Sequence, residues 1–171
     1  MNIANEIGGR QHFIETWIMR GNVFRLSTGL ITLSSSDKEY IYFTPPEEGH
    51  FLLILSGVMK SGDEILISWY EGATYTPNAP DDVYFFNLNR KEDLITGLEI
   101  KKDKNGTLTG GTELPGIYLG GSANPQTLIT GASKSDHFFV LKNNTLYVTK
   151  IENVGTNDTN VLLNLSLVFI Q

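Results

Sequence analysis

Three histidines, His12, His50 and His137, are the residues in this chain best suited to metal ligation or proton transfer. None stands two or four positions from another, so no H-x-H or H-E-x-x-H pair exists. His50 and His137 each open an apolar run and read as strand-edge residues. Acid pairs occur at Glu47-Glu48, Asp63-Glu64, Asp81-Asp82 and Glu92-Asp93. Neighbours on a strand face opposite ways, whereas a cooperating acid and base must converge, so these pairs read as solvated turn residues. Asn78, Asp81 and Asp82 offer oxygen ligands but lack the D-x-D-x-D-G spacing of a calcium loop. With no cysteine, thiol catalysis, disulfides and every cysteine-based metal site are excluded. There is no G-x-S-x-G elbow, no Walker loop and no G-x-G-x-x-G after a strand. Thr109-Gly110-Gly111-Thr112 lacks the lysine and helix of a phosphate cradle and reads as a turn. The expectation is a protein that is not an enzyme, with no catalytic residue, no cofactor and no metal.

What remains is the chemistry of recognition. Residues 1–22 differ from the rest: Gly8-Gly9-Arg10-Gln11-His12 precedes the anchors Phe13, Ile14, Trp17 and Ile18. Flexible residues followed by aromatic anchors suit an N-terminal arm that orders on a partner, with Arg10, His12, Phe13 and Trp17 as the expected contacts. The alternative is that Phe13, Trp17 and Ile18 close one open end of the fold. Deletion of residues 1–20 is expected to leave the fold intact and weaken docking. Trp69, Tyr70, Tyr75, Tyr84, Phe85 and Phe86 could stack on sugar rings, but alternation places most of them in a core. Gly72 permits a backbone turn after Glu71, and Asn87, Asn89 and Arg90 supply donors for loop carbonyls, a structural loop motif.

The elements that must carry these residues are strands. The dominant period is two: Ile65, Ile67 and Trp69 share one face, as do Leu163, Leu165, Leu167 and Phe169. Further strands are expected at 23–33, 39–43, 50–58, 82–87, 116–119, 137–141 and 145–153, eight or nine in all. Pro45-Pro46, Ser61-Gly62-Asp63, Asn105-Gly106, Gly120-Gly121 and Asn143-Asn144 mark turns between them. The best helical candidate, Phe13 to Met19, is short and flanked by glycines. Short strands with such turns give an all-β antiparallel sandwich of jelly-roll type, one domain over 23–171 behind the arm. A length of 171 residues suits a single domain. A net charge of −6 without a basic cluster argues against nucleic-acid binding. No apolar run approaches the ~20 residues of a membrane helix, and the first residues lack a secretory signal, so no membrane partner is expected.

Three stretches carry a family resemblance. Tyr40-Ile41-Tyr42-Phe43-Thr44-Pro45 is followed by His50, and Trp69-Tyr70-Glu71-Gly72-Ala73-Thr74 by Asn87-Leu88-Asn89-Arg90. Last come Gly110-Gly111-Thr112 and then Lys142-Asn143-Asn144-Thr145-Leu146-Tyr147-Val148, leading into Ile151-Glu152-Asn153. This order resembles a family of tailed-bacteriophage virion proteins akin to jelly-roll capsid decoration, or cement, proteins, over residues 39–153. The resemblance implies a structural protein on the outer capsid surface, made in the host bacterial cytoplasm. Its implied partners are the major capsid protein and further copies of itself, as a homodimer or homotrimer. Alternatives are a head-fibre, tail or baseplate module, or a jelly-roll glycan-binding module.

Overall fold

A computed structural model describes residues 15–89, 98–128 and 138–170. Its strands are β1 (Val23–Ser27), β2 (Ile31–Leu33), β3 (Lys38–Phe43), β4 (His50–Gly62), β5 (Ile65–Glu71), β6 (Thr74–Thr76), β7 (Asp81–Asp82) and β8 (Phe85–Asn87). They continue as β9 (Ile100–Lys104), β10 (Thr107–Thr109), β11 (Thr112–Leu119), β12 (Ser122–Leu128), β13 (Phe138–Leu141), β14 (Tyr147–Asn153) and β15 (Thr159–Ile170). One sheet runs β12-β4-β15-β1-β8, with β13 also on β4 and β2 also on β15. The other runs β11-β5-β14-β3-β9-β7, and β6 and β10 form a separate two-stranded ribbon. Every pairing is antiparallel. The protein is an all-β antiparallel sandwich.

Period-two alternation explains how the sheets meet. Phe24, Leu26, Phe51, Leu53, Leu55, Leu163, Leu165 and Leu167 point in from the first sheet. Ile41, Phe43, Ile65, Ile67, Trp69, Tyr147 and Ile151 answer from the second, and all of them form one buried cluster. Trp69 and Phe139 meet across the layers with ring centroids 5.8 Å apart. Burying each such side chain stabilises by roughly 1.5–3 kcal/mol, so the two inner faces supply most of the drive to fold.

Several expected strands differ in detail. The run expected at 23–33 divides into β1 and β2 because Thr28 interrupts the ladder. Its amide donates to the Leu163 carbonyl, and its Oγ1 accepts from the Leu163 amide in place of a backbone oxygen. Gly29 then takes a φ of 69°. The run expected at 82–87 also divides, β7 joining the second sheet and β8 the first. The run expected at 50–58 extends to Gly62 through a bulge, where Ser56 is inserted opposite the Asn164–Leu165 step of β15. Residues 15–19 are helical, within the Phe13 to Met19 candidate, whose first two positions lie outside the described residues.

Polar clamps close both ends. At one, Asp63 accepts from the amides of Thr156 (2.7 Å), Asn157 (2.9 Å) and Glu64 (3.0 Å), tying the β4–β5 turn to the β14–β15 turn. It is therefore not the merely solvated turn residue expected from its acidic neighbour. The Asn157 and Thr156 amides, ahead of burial, which opposes them, lower the Asp63 pKa from 3.8 to about 2. A depressed folded-state value stabilises above the unfolded value and is lost as pH falls through the folded one. Stability is thus expected to drop between about pH 4 and pH 2, and Asp63→Asn to flatten that slope, read from urea midpoints across this range. At the other end Glu71 accepts from Lys142 Nζ and from the Tyr147 hydroxyl (2.8 Å). Asn143 Nδ2 there donates to the Glu47 and Gly49 carbonyls.

Candidate functional site

The outer face of the second sheet is built by the residues that alternate with the core. On β3, Ile41 and Phe43 point inward, so Tyr40 and Tyr42 point outward, and on β9 Asp103 stands opposite Tyr40. Asp103 is 2% exposed and accepts from the Tyr75 hydroxyl (2.5 Å) and the amides of Asn78 (2.9 Å) and Ala79 (2.6 Å). Burial raises its pKa, but these donors together outweigh burial and hold the carboxyl below its ordinary value. Burial and then the bond to Asp103 push the Tyr75 hydroxyl well up, so it remains a donor. The β6–β10 ribbon is thereby pinned over the sheet. The Tyr75 ring lies 4.7 Å from that of Tyr42 and 5.0 Å from that of Tyr40.

Tyr42 borders a shallow groove of about 420 Å³, lined also by Phe43, Thr44, Glu99, Lys101 and Leu146. Lys101 Nζ lies 2.6 Å from Asp82 Oδ1 and 3.9 Å from Glu99 Oε2. Farther along the same face Lys150 sits 5.7 Å over the Tyr70 ring and 2.8 Å from Glu152. The arrangement offers flat aromatic surface beside fixed hydrogen-bonding groups.

The outer face of the first sheet is different. An antiparallel sheet that meets water usually turns polar residues outward. Here Leu52 and Ile54 of β4, Leu162 and Ile170 of β15, Val140 of β13 and Phe86 of β8 point away from the core. Val140 is 69% exposed, and Met59 and Phe86 are exposed as well. Beside this face lies the end of the N-terminal segment. Asn87 Nδ2 donates to the Gly21 carbonyl (2.7 Å) and Asn89 Nδ2 to the Met19 carbonyl (3.0 Å). Asn87 Oδ1 accepts from the Asn89 amide (2.9 Å). The two amides hold the chain where it leaves the helical turn at 15–19 and enters β1.

Of the partner contacts expected in the N-terminal arm, Trp17 is half-buried in the helical turn, with the Arg20 guanidinium 5.7 Å over its ring. Arg10, His12 and Phe13 lie outside the described residues, as do Arg90, Glu92, Asp93 and His137. Gly72 has a φ of 67° and donates its amide to the Leu146 carbonyl (2.8 Å), packing the β5 end against β14. A Cβ there meets only Thr145 Cγ2 at 4.0 Å, so the conformation and not space demands glycine. Gly72→Ala is expected to destabilise by about 1 kcal/mol, measured by urea denaturation. His50 is exposed at the start of β4. Tyr84, at 90% exposure, stands in solvent and not in the core where alternation placed the aromatics of this run. Among the described residues no three His, Asp or Glu side chains gather as a metal site.

The Tyr42–Tyr75–Asp103 assembly was not singled out from the sequence. Its signal is the alternation of Tyr40 and Tyr42 against Ile41 and Phe43, which marks a strand with an aromatic outer face. No family model matches the chain, and no curated protein matches it in sequence.

Proposed function

We propose that the protein is a non-enzymatic structural component of a tailed-phage virion, a decoration or cement protein on the outside of the head. One observation carries the docking half of this reading: the first sheet turns Leu52, Ile54, Val140, Met59, Leu162, Ile170 and Phe86 outward. Apolar surface gathered on one sheet face is a mark of a protein interface. The clamped N-terminal segment, which carries Trp17, enters β1 of the same sheet. The strand order supports a jelly roll: β1/β2, β15, β4 and β12/β13 lie side by side in one sheet, and β3, β14, β5 and β11 in the other. Strands alternate between layers from β1/β2 to β5 and again from β11 to β15, as two Greek keys wind, with β6–β10 inserted where β5 and β11 pair within one layer. The family resemblance of residues 39–153 supplies the virion context.

In mechanism, the apolar face covers the junction between neighbouring major capsid subunits and buries surface that would otherwise be wet. A homodimer or homotrimer repeats the contact around a symmetry axis, and avidity makes modest single contacts hold the shell. Quantitative mass spectrometry of purified virions against the major capsid protein tests this. A ratio near one, or a simple fraction of it, is the expected result. A handful of copies moves the protein to a head-fibre, tail or baseplate position, and absence from virions overturns the reading.

A further inference from the structure

The groove on the second sheet lies on the opposite layer from the apolar docking face, and nothing in the docking role uses it. We propose that this groove, formed by Tyr42, Thr44, Glu99, Lys101 and Leu146, is a binding site for a neutral oligosaccharide. The argument rests on geometry, charge and preorganisation. A sugar ring needs a flat aromatic surface for its C–H face and nearby polar groups for its hydroxyls, and small-ligand sites combine apolar walls with a few placed polar groups. Tyr42 gives the aromatic wall, with Thr44, Glu99 and Lys101 beside it.

Charge selects among glycans. Lys101 is already paired with Asp82 at 2.6 Å and has Glu99 at 3.9 Å, so the groove carries two carboxylates against one ammonium. A sulfated or uronic-acid chain meets net negative charge there, within a protein of net charge −6. A neutral chain meets both acceptors and donors.

Preorganisation comes from the layer behind. Tyr75 packs against Tyr42 at 4.7 Å and is fixed through its hydroxyl by Asp103, itself held by two backbone amides. The platform is rigid before a ligand arrives, which removes ordering free energy from binding. Tyr75 and Asp103 are thus positioning residues, while Tyr42, Glu99 and Lys101 touch the ligand.

The test is amide-shift mapping by NMR on the ¹⁵N-labelled full chain, titrated separately with cellohexaose, maltohexaose and chitohexaose and with a heparin-derived hexasaccharide. At least one neutral hexasaccharide is expected to shift the amides of Thr44, Glu99, Lys101 and Leu146, saturating in the millimolar range, while the sulfated one leaves them unmoved. Tyr42→Ala and Glu99→Ala are each expected to weaken binding about tenfold. Glu99 is 82% exposed, so its variant carries the test even if Tyr42→Ala fails to fold. The proposal is overturned if no neutral hexasaccharide moves these amides, if the shifts map to another surface, or if the sulfated chain binds and the neutral ones do not. None of these outcomes bears on the copy number in virions, so the two readings stand or fall separately.

Discussion

Deleting Ser56 is expected to lower stability by only about 1 kcal/mol, a small part of what a domain of this size possesses. The reason is parity. Along β4 the inward residues are Phe51, Leu53 and Leu55, all odd-numbered, and then Val58 and Lys60, both even. The switch occurs because Ser56 is inserted where β15 steps only from Leu165 to Asn164. Without that residue Gly57 follows Leu55 directly and still stands opposite Asn164, so Val58 still faces inward opposite Leu163 and regular alternation runs the length of β4. Met59 stays outward, and the burial of Val58 is kept. Lys60 keeps its place as well. It is 1% exposed, and its Nζ donates to the Gly62 carbonyl at 3.2 Å and the Asp63 carbonyl at 2.7 Å. Those bonds cap the end of the sandwich directly behind the Asp63 clamp. Ser56→Ala supplies the comparison, because it removes only the contact between Ser56 Oγ and Ser166 Oγ and is expected to lose about 1 kcal/mol. Urea denaturation of both variants decides the matter: equal losses are expected, and a loss of about 3 kcal/mol or more for the deletion alone would show that the bulge itself is required.

The bulge also shows where reading the sequence stops. Alternation identifies which residues share a face, and on that basis the core strands of β3, β5, β14 and β15 were legible from Ile41 and Phe43, Ile65 and Ile67, Leu163 and Leu165. It does not reveal an inserted residue, because Gly57-Val58-Met59 is as apolar on one parity as on the other. Nor does it say to which layer a strand belongs. Asp82 to Phe86 reads as one run, yet Asp82 pairs with Lys101 in the second sheet and Phe86 with Arg25 in the first. The short strands β6 and β10 are Thr-Tyr-Thr and Thr-Leu-Thr, with too little apolar alternation to signal anything. They exist because Asp103 and the stacked tyrosines hold them in place.

The candidate sites divide along the same line. Asn87 and Asn89 were legible as donors by residue type alone, since two amides after an aromatic run need acceptors. That the acceptors are the Gly21 and Met19 carbonyls is a property of the folded chain. The groove was not legible, because Tyr42, Tyr75, Glu99 and Asp103 are scattered along the chain and become one surface only when β3 pairs with β9. The two outer faces then acquire different characters for a physical reason. The first sheet's outer face gathers Leu52, Ile54, Val140, Leu162 and Ile170 and suits a protein contact, whereas the second sheet's tyrosines and paired charges suit a wet and polar ligand.

Replacing Asp103 with alanine is expected to destabilise the protein by about 3 kcal/mol and to free the β6–β10 ribbon from the sheet. The substitution removes one buried acceptor and strands three donors: the Tyr75 hydroxyl and the amides of Asn78 and Ala79. A buried donor without an acceptor costs about 1–3 kcal/mol. The three together exceed the loss of peeling the ribbon into water, so peeling limits the total. Peeling in turn lifts the Tyr75 ring from Tyr40 and Tyr42, contacts of 5.0 and 4.7 Å that contribute about 0.5–1.5 kcal/mol each. The expected signature is therefore local as well as global: faster hydrogen exchange at Asn78, Ala79 and Leu108, together with a lower urea midpoint. Asp103→Asn retains one carbonyl acceptor but turns an amide donor toward other donors, and its loss is expected to fall between those of wild type and Asp103→Ala. A loss below about 1 kcal/mol for Asp103→Ala, with exchange at Asn78 and Ala79 unchanged, would show that the ribbon is held by its rings alone. In that case Tyr75→Phe, which deletes only the hydroxyl, would also be silent, and the rigidity attributed to the groove would have to come from Tyr42 and its own strand.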